Sequence, residues 1–429
     1  MNGADLLVSL PEGWRRVPLK TTCDFVVSNV DKHSFDDELP VRLCNYTDVY
    51  KNDRVSPDMD LMPATATPQE IERFRLEVGD VVITKDSESW NDIAVPAYVD
   101  GTADDFVCGY HLALIRPRKD MLEGRFLFRC MQSRPVALQL ELEATGVTRY
   151  GLPKDAIGRA VLPLPPLPDQ VRIANYLDRE ISRIDGLIAE KERMLALLGE
   201  KRTALISRLV TRGLDPKAPL KPSGQEWLGE IPAHWLVERA KNLFTVRDER
   251  SDDGSEELLT VSHITGVTLR SEKDVYMFEA DDKAGYKRCM PGDLAVNTLW
   301  AWMGAMGISP LEGIVSPDYH VYTSRGELLP EYLDLLCRSR PFVAEVIRWS
   351  KGVWSSRLRL YPENFFEVRL PVPPREEQIE IVLAVETDQR KAGALRDSLQ
   401  LSITLAKERR AALITAAVTG QVPVEEMVG

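Results

Sequence analysis

The chain has 429 residues, 44% hydrophobic and 28% charged, with a formal net charge of −12. That length suits two or three domains, each with its own core. No apolar run approaches a membrane span, and the start MNGADLLVSLPEGW has no basic segment or apolar h-region, so the expected setting is cytoplasmic, with no membrane. On its face the acidic balance argues against nucleic acid as a partner, because phosphate binding wants a basic footprint. The six cysteines are scattered without a CxxC pair, which predicts free buried thiols and neither a disulfide framework nor a zinc site.

In chain order, LPEGWRRVPLK (residues 10–20) sets Trp14 just inside a globular stretch, where a domain anchor is expected. GDVVIT (79–84) reads as a tight turn feeding a strand, and FVCGYHLALIRP (106–117) as a strand. GRFLFRCMQSRPVALQLELEAT (124–145) reads as one or two helices. His111, flanked by strand residues, is expected to be structural. A glycine loop, GVTRYG (146–151), precedes LPLPPLPDQ (162–170). Prolines fix φ and favour stiff polyproline II chain, and Asp169 suits the first turn of a helix. The segment therefore predicts a fixed exit from a globular half into a helix.

Residues 170–212 contain no proline. Ala174, Leu177, Ile181, Ile184, Ile188, Leu195, Leu198, Leu205 and Leu209 follow 3-4 spacing, interrupted at Lys191 and Arg202 and flanked by charge. So narrow a seam predicts a coiled coil rather than a core helix, roughly 64 Å long at 1.5 Å per residue. Gly213 is the expected C-cap, and Pro216 prevents continuation.

The second half repeats the first. IPAHWLVERAK (231–241), with Trp235, matches the opening segment. GDLAVN (292–297) matches GDVVIT, and Tyr319-His320 matches Tyr110-His111. KGVWSSRL (351–358) matches TGVTRYGL (145–152). LPVPPREEQ (370–378) then matches the proline run residue for residue at Leu, Pro, Pro, Pro and Gln. With no gap, RRAALITAAVTGQ (409–421) matches KRTALISRLVTRG (201–213). A gapless match over about fifty residues is what a continuous helix imposes, since one inserted residue turns all later side chains by about 100°. The second seam is Val382, Val385, Ala392, Leu399, Ile403, Ala406, Leu413 and Ala417. The order half, helix, half, helix predicts that the helices pair as an antiparallel coiled coil with pseudo-two-fold symmetry.

Arg338, Arg340, Arg348, Lys351, Arg357 and Arg359 form a basic stretch with Trp349 and Trp354 among them. It predicts a local basic patch on an acidic chain, or else a solvated helix face. There is no GxxxxGK[ST] loop, no [ND]PP[YF] tetrapeptide, no glycine-rich cofactor loop, no GxSxG and no HExxH. No catalytic constellation is apparent.

The repeated proline frame, the heptad helix and EKRTALISRLVTRGLDP resemble the specificity subunit of type I restriction–modification enzymes. The resemblance implies two α/β (α+β) target recognition domains. They would span residues 1–165 and 216–370, with proline joints and long helices at 166–215 and 371–429. It implies a non-catalytic, DNA-binding subunit in defence against foreign DNA. Its partners would be double-stranded DNA, two methyltransferase (modification) subunits and restriction/translocase subunits. This chain would bind no cofactor; S-adenosylmethionine, ATP and Mg would sit on partner subunits. Expected DNA contacts lie in the loops that vary between repeats. In the first half they are Lys85, Trp90, Asn91, Arg149 and Tyr150. In the second they are Trp300, Trp302, Lys351, Ser355, Arg357 and Arg359.

Two rival readings are a self-contained restriction or methyltransferase enzyme, which would need the missing cofactor motifs, and a coiled-coil scaffold. The scaffold would share the helices but show no site-specific, salt-dependent DNA affinity.

Overall fold

The computed structural model describes residues 6–7, 10–273, 280, 282–352 and 358–427. The two Gly-Asp pairs form turns of the same construction. The Asp80 and Asp293 amides donate to the carbonyls of Glu77 and Met290, each at 3.0 Å. Their carboxylates accept in return from the amides of Glu77 (2.9 Å) and Met290 (2.8 Å). Each turn delivers a wholly buried strand, Val81–Thr84 or Leu294–Asn297. Both aspartates are buried, and a buried carboxylate needs a partner. Arg116 gives Asp80 two bonds, at 2.8 and 2.7 Å, and Arg247 gives Asp293 two, at 2.7 and 3.4 Å.

The chain divides into two units, Met1–Glu192 with Gln400–Gly429, and Arg193–Leu399. In the first, a five-stranded sheet runs in the order Cys23–Val27, Leu112–Pro117, Val81–Thr84, Pro96–Val99, Arg54–Val55. A three-stranded sheet (Met62–Ala66, Leu39–Cys44, Phe106–Cys108) closes the core around Phe74, Val82, Phe106 and Leu114. The segment read as one strand is therefore two strands in different sheets, parted by the turn at residues 109–111. Helices Gly124–Gln132 and Arg134–Leu142 are separated at Ser133, where Pro135 starts the second. In the second unit, Phe244–Arg247, Tyr319–Ser324, Leu294–Asn297 and Met306–Ile308 form an antiparallel sheet. Its core includes Trp235, Tyr322, Tyr332, Phe342 and Phe365.

The proline runs are not polyproline spacers. Val161–Leu164 pairs with Arg15–Pro18, and Arg369–Val372 with Leu236–Arg239, as two-stranded antiparallel ribbons. Proline is tolerated on such edges because no ladder bond is asked of its nitrogen. Only two residues then separate strand from helix. The first helix begins at Leu167 rather than Gln170, because Pro168 fits a first helical turn.

The long helices are Leu167–Arg212 (46 residues) and Arg375–Val418 (44 residues), and they pack together. In the first unit Leu177, Ile181, Ile184, Ile188 and Ile403 are buried. There Arg410 donates to Asp185 (2.9 Å) and Lys407 to Glu192 (3.3 Å), so the helix segments run antiparallel. Leu413 is half-buried while its neighbour Ile414 is fully covered. In the second unit Leu195, Leu198 and Leu205 are half-buried and Leu209, Val385 and Leu399 buried. Lys201 pairs with Asp388 (3.8 Å) and Arg202 reaches Gln389 (3.5 Å). Elsewhere the helices carry exposed apolar residues, among them Leu187, Met194, Leu197, Leu383, Leu401 and Leu405.

All six cysteines are buried and free, and burial pushes the Cys23 and Cys289 thiols up to about 12. Among the described residues no helix is long and apolar enough to cross a membrane.

Candidate nucleic-acid interface

In the first half, strand pairing gathers the variable loops. Asp86–Ser87 pairs with Tyr150–Gly151, which pairs in turn with Thr145–Gly146. The loop holding Lys85, Trp90 and Asn91 thus shares one small sheet with the hairpin holding Arg149 and Tyr150. An open cleft of about 820 Å³ lies between them, lined by Tyr46, Tyr50, Asp86, Asp92, His111 and Arg149 among others. Lys85 Nζ is 3.2 Å from Asp86, so its charge is partly spent inside the protein. Trp90, Asn91 and Arg149 are exposed, and Arg149 makes no ion pair among the described residues.

The cleft also holds side chains that sequence reasoning missed. Tyr46 and Tyr50 stack with centroids 5.6 Å apart at 14°, and Tyr50 donates to Asp92 at 2.7 Å. Burial raises the Tyr46 phenol, and the bond to Asp92 raises that of Tyr50, so both stay protonated donors. Their i, i+4 spacing in YTDVY was the available signal. His111 lines the cleft with Nδ1 2.5 Å from Asp86 Oδ2 and a backbone φ of +68°. Side chains with a Cβ rarely adopt that conformation, and such residues cluster at functional sites.

In the second half, Trp300 and Trp302 stack with centroids 6.1 Å apart at 25°. Trp302 is half-buried and its indole N–H donates to the Leu299 carbonyl at 3.0 Å, whereas Trp300 is exposed. Lys351 and Arg359 exchange two backbone hydrogen bonds of 2.9 Å, at the place in the repeat where the first half has its 145–151 hairpin. Ser355 and Arg357 lie outside the described residues. The turn Ala301–Met303 packs on helix Arg340–Trp349, whose end leads directly into Lys351. The basic stretch is partly consumed internally. Arg338 donates to Asp334 and the Ile264 carbonyl, and Arg348 lies 3.5 Å from Glu345. His320 is on a strand and half-buried; burial, then the Lys287 cation, lowers its pKa, which suits a neutral structural side chain.

No family model matches the chain. The EcoKI type I restriction enzyme specificity subunit of Escherichia coli is 21% identical over 393 residues, 88% of this chain and 82% of the relative. The EcoBI specificity subunit of Escherichia coli is 24% identical over 319 residues, 69% of this chain and 64% of the relative. The MjaVIII specificity subunit of Methanocaldococcus jannaschii is 24% identical over 133 residues, 31% and 29% respectively. Thus the match spans less than two-thirds of the length of the MjaVIII and EcoBI relatives. Among solved structures, a chain from work on assembly and conformational transition of the type I R-M system superposes with a TM-score of 0.69. It is 18% identical, with 96% of this chain and 100% of that one covered. The HsdS subunit of Thermoanaerobacter tengcongensis gives a TM-score of 0.52 at 17% identity, covering 96% and 98%.

Over most of its length the chain is similar to type I restriction enzyme specificity subunits. The fold agrees over nearly the whole length, with two mixed α/β halves each followed by a long helix. Within this chain the halves agree in scaffold and differ in what lines their clefts. Carboxylates, tyrosine hydroxyls and a histidine line the first, and Trp300, Met303 and Tyr319 stand among the lining of the second.

Proposed function

We propose that this chain, as a specificity subunit, reads a bipartite double-stranded DNA site, one short sequence with each half, and docks two methyltransferase subunits on its long helices. The single observation that carries this is the repeat of turn, strand, ribbon and helix beneath two loop sets of unlike chemistry. A duplicated scaffold with divergent loops suits two different half-sites with an unread spacer. Recognition domains at 1–165 and 216–370 would read base edges, while lysine and arginine side chains hold phosphates. The helices, with their joints at 166–215 and 371–429, would set the half-site spacing. Their exposed leucines and methionine supply apolar surface for the methyltransferases. Restriction/translocase subunits complete the complex. S-adenosylmethionine, ATP and Mg act on those partners, and this chain carries out no chemistry, in the cytoplasm and without a membrane. The acidic net charge is tolerated if cationic contacts are confined to the loops.

The test is the methylome of the source cell with and without this gene. One bipartite motif should lose methylation when the gene is removed; loss of no motif refutes the reading. In the intact complex, Arg357→Ala or Arg149→Ala should weaken recognition of one half-site only. An equal effect on unrelated sequences would make that arginine a phosphate contact. Methylation by this chain alone would restore the self-contained enzyme.

A further inference from the structure

Trp300 is 49% exposed, whereas every other described tryptophan of the second half is buried or half-buried. Its backbone is nevertheless fixed. The amide donates to the Asn297 carbonyl at 3.0 Å, and its own carbonyl accepts from Met303 (2.9 Å) and Ala305 (3.1 Å). Asn297, itself buried, accepts from the Leu299 amide and donates to the Tyr319 hydroxyl at 2.9 Å. One side of the Trp300 indole leans on Trp302. A large aromatic on a rigid backbone with surface left open has the form of a binding anchor, because little side-chain entropy remains to be lost when it is covered.

The surroundings narrow what covers it. Trp300 lines an open cleft of about 500 Å³ with Leu258, Met303, Tyr286, Tyr319 and Arg270 among its walls. At the corresponding loop of the first half the walls are Asp86, Asp92 and tyrosine hydroxyls. The second cleft also carries Arg270, His263 and Asp318, but it sets Leu258, Leu299, Trp300 and Met303 beside them, and the first has no such apolar set. A phosphate gains little from an indole and a methionine. An amino or keto edge pressed on the indole face itself would lose a hydrogen bond to water with nothing in return. The base-edge group that gains is the C5 methyl of thymine, exposed in the major groove and read by apolar contact.

We propose that Trp300 is a specificity-determining contact that reads a thymine methyl in the half-site bound by the second half. This rests on the DNA-reading function proposed above. The experiment uses the intact complex with its methyltransferase subunits and duplexes carrying the site found in the methylome. Each thymine of both half-sites is replaced in turn by uracil, which removes the methyl group alone. At one position in one half-site, uracil should weaken wild-type binding roughly four- to tenfold, the scale of one or two buried carbons. Trp300→Ala should bind the thymine duplex more weakly by a similar factor and no longer distinguish thymine from uracil there. Its discrimination in the other half-site should be intact, which reports that the variant is folded.

Three results overturn the proposal: no uracil position matters, Trp300→Ala still distinguishes the two bases, or neither half-site contains thymine. Loss of methyltransferase assembly in Trp300→Ala, with thymine discrimination retained, would make the indole a protein contact and overturn it as well. A wild-type complex with no preference for the bipartite duplex refutes the DNA-reading function itself, a distinguishable outcome.

Discussion

Gln170 and Gln378 make the same three hydrogen bonds. The Gln170 side-chain oxygen accepts from the Glu123 amide at 2.9 Å, and its nitrogen donates to the carbonyls of Met121 (3.0 Å) and Pro165 (2.9 Å). Gln378 accepts from Leu329 at 2.7 Å and donates to Glu327 (3.0 Å) and Pro373 (2.9 Å). Both side chains are fully buried. Each glutamine ties the first turn of a long helix to the two-proline joint just before it and to a loop of its own globular half.

Removing either glutamine strands a buried amide and two carbonyls, each of which costs about 1–3 kcal/mol when unsatisfied, though water relieves some of that. Gln170→Ala and Gln378→Ala should each lower stability by about 3 kcal/mol in urea titrations of the purified protein. A loss under about 0.5 kcal/mol would mean that the clamp carries no stability.

The far ends of the helices are matched too. Gly213 and Gly420 have φ of +72° and +73°, and both stand against a tryptophan. A Cβ on Gly213 would come within 2.6 Å of Glu377 Oε1 and 3.3 Å of Trp235; on Gly420 it would meet Pro11 at 2.3 Å and Trp14 at 3.4 Å. The left-handed backbone alone costs an alanine about 1 kcal/mol, and the contacts add to it. Gly420→Ala should therefore lose more stability than Gly213→Ala, because the flexible Glu377 carboxylate can shift and the Pro11 ring cannot. Equal losses in thermal melts would show that the contacts do not matter.

Arg129 is nearly buried, and burial lowers its pKa. Asp178 of the first long helix holds it at 2.9 Å and also takes bonds or charge from Arg125 and Arg54, each at 3.3 Å. Taking one partner from a buried pair leaves an uncompensated charge, worth about 3–5 kcal/mol. Asp178→Asn should cost about 3 kcal/mol, whereas Asp178→Asn combined with Arg129→Met should cost less than Asp178→Asn alone. If the double variant is the less stable of the two, the buried cation is not what the aspartate serves.

His320 sets a pH dependence. Burial and Lys287 hold its folded pKa below the unfolded value of about 6.5. Between the two values the unfolded chain binds the extra proton, so stability is complete above about pH 6.5 and is lost as pH falls through the folded pKa. Wild-type protein should lose stability faster than His320→Gln on acidification from pH 7 to pH 5. Parallel curves would exclude the histidine as the cause.

The repeat, the helix lengths and the helix ends were legible in the sequence because each is local. Helical periodicity, a C-cap glycine and a gapless match need no knowledge of distant neighbours. Local signals also marked the loops holding Lys85, Trp90, Arg149 and Trp300 as the places where the halves diverge. They could not say that Asp86–Ser87 pairs with Tyr150–Gly151, or that Tyr46, Tyr50 and His111 line the same cleft. Those side chains come from segments more than sixty residues apart in the chain, and pairing at that range is decided by which sheets share a core. The proline run was misread for the same reason: its stiffness is intrinsic, but its place as an edge strand depends on residues 15–18, some 150 positions earlier. The sequence by itself determined that one unit occurs twice and ends in a helix of fixed length. Only the tertiary structure decided which side chains share a cleft, because close packing of strands from distant segments, rather than any local preference, brings them together.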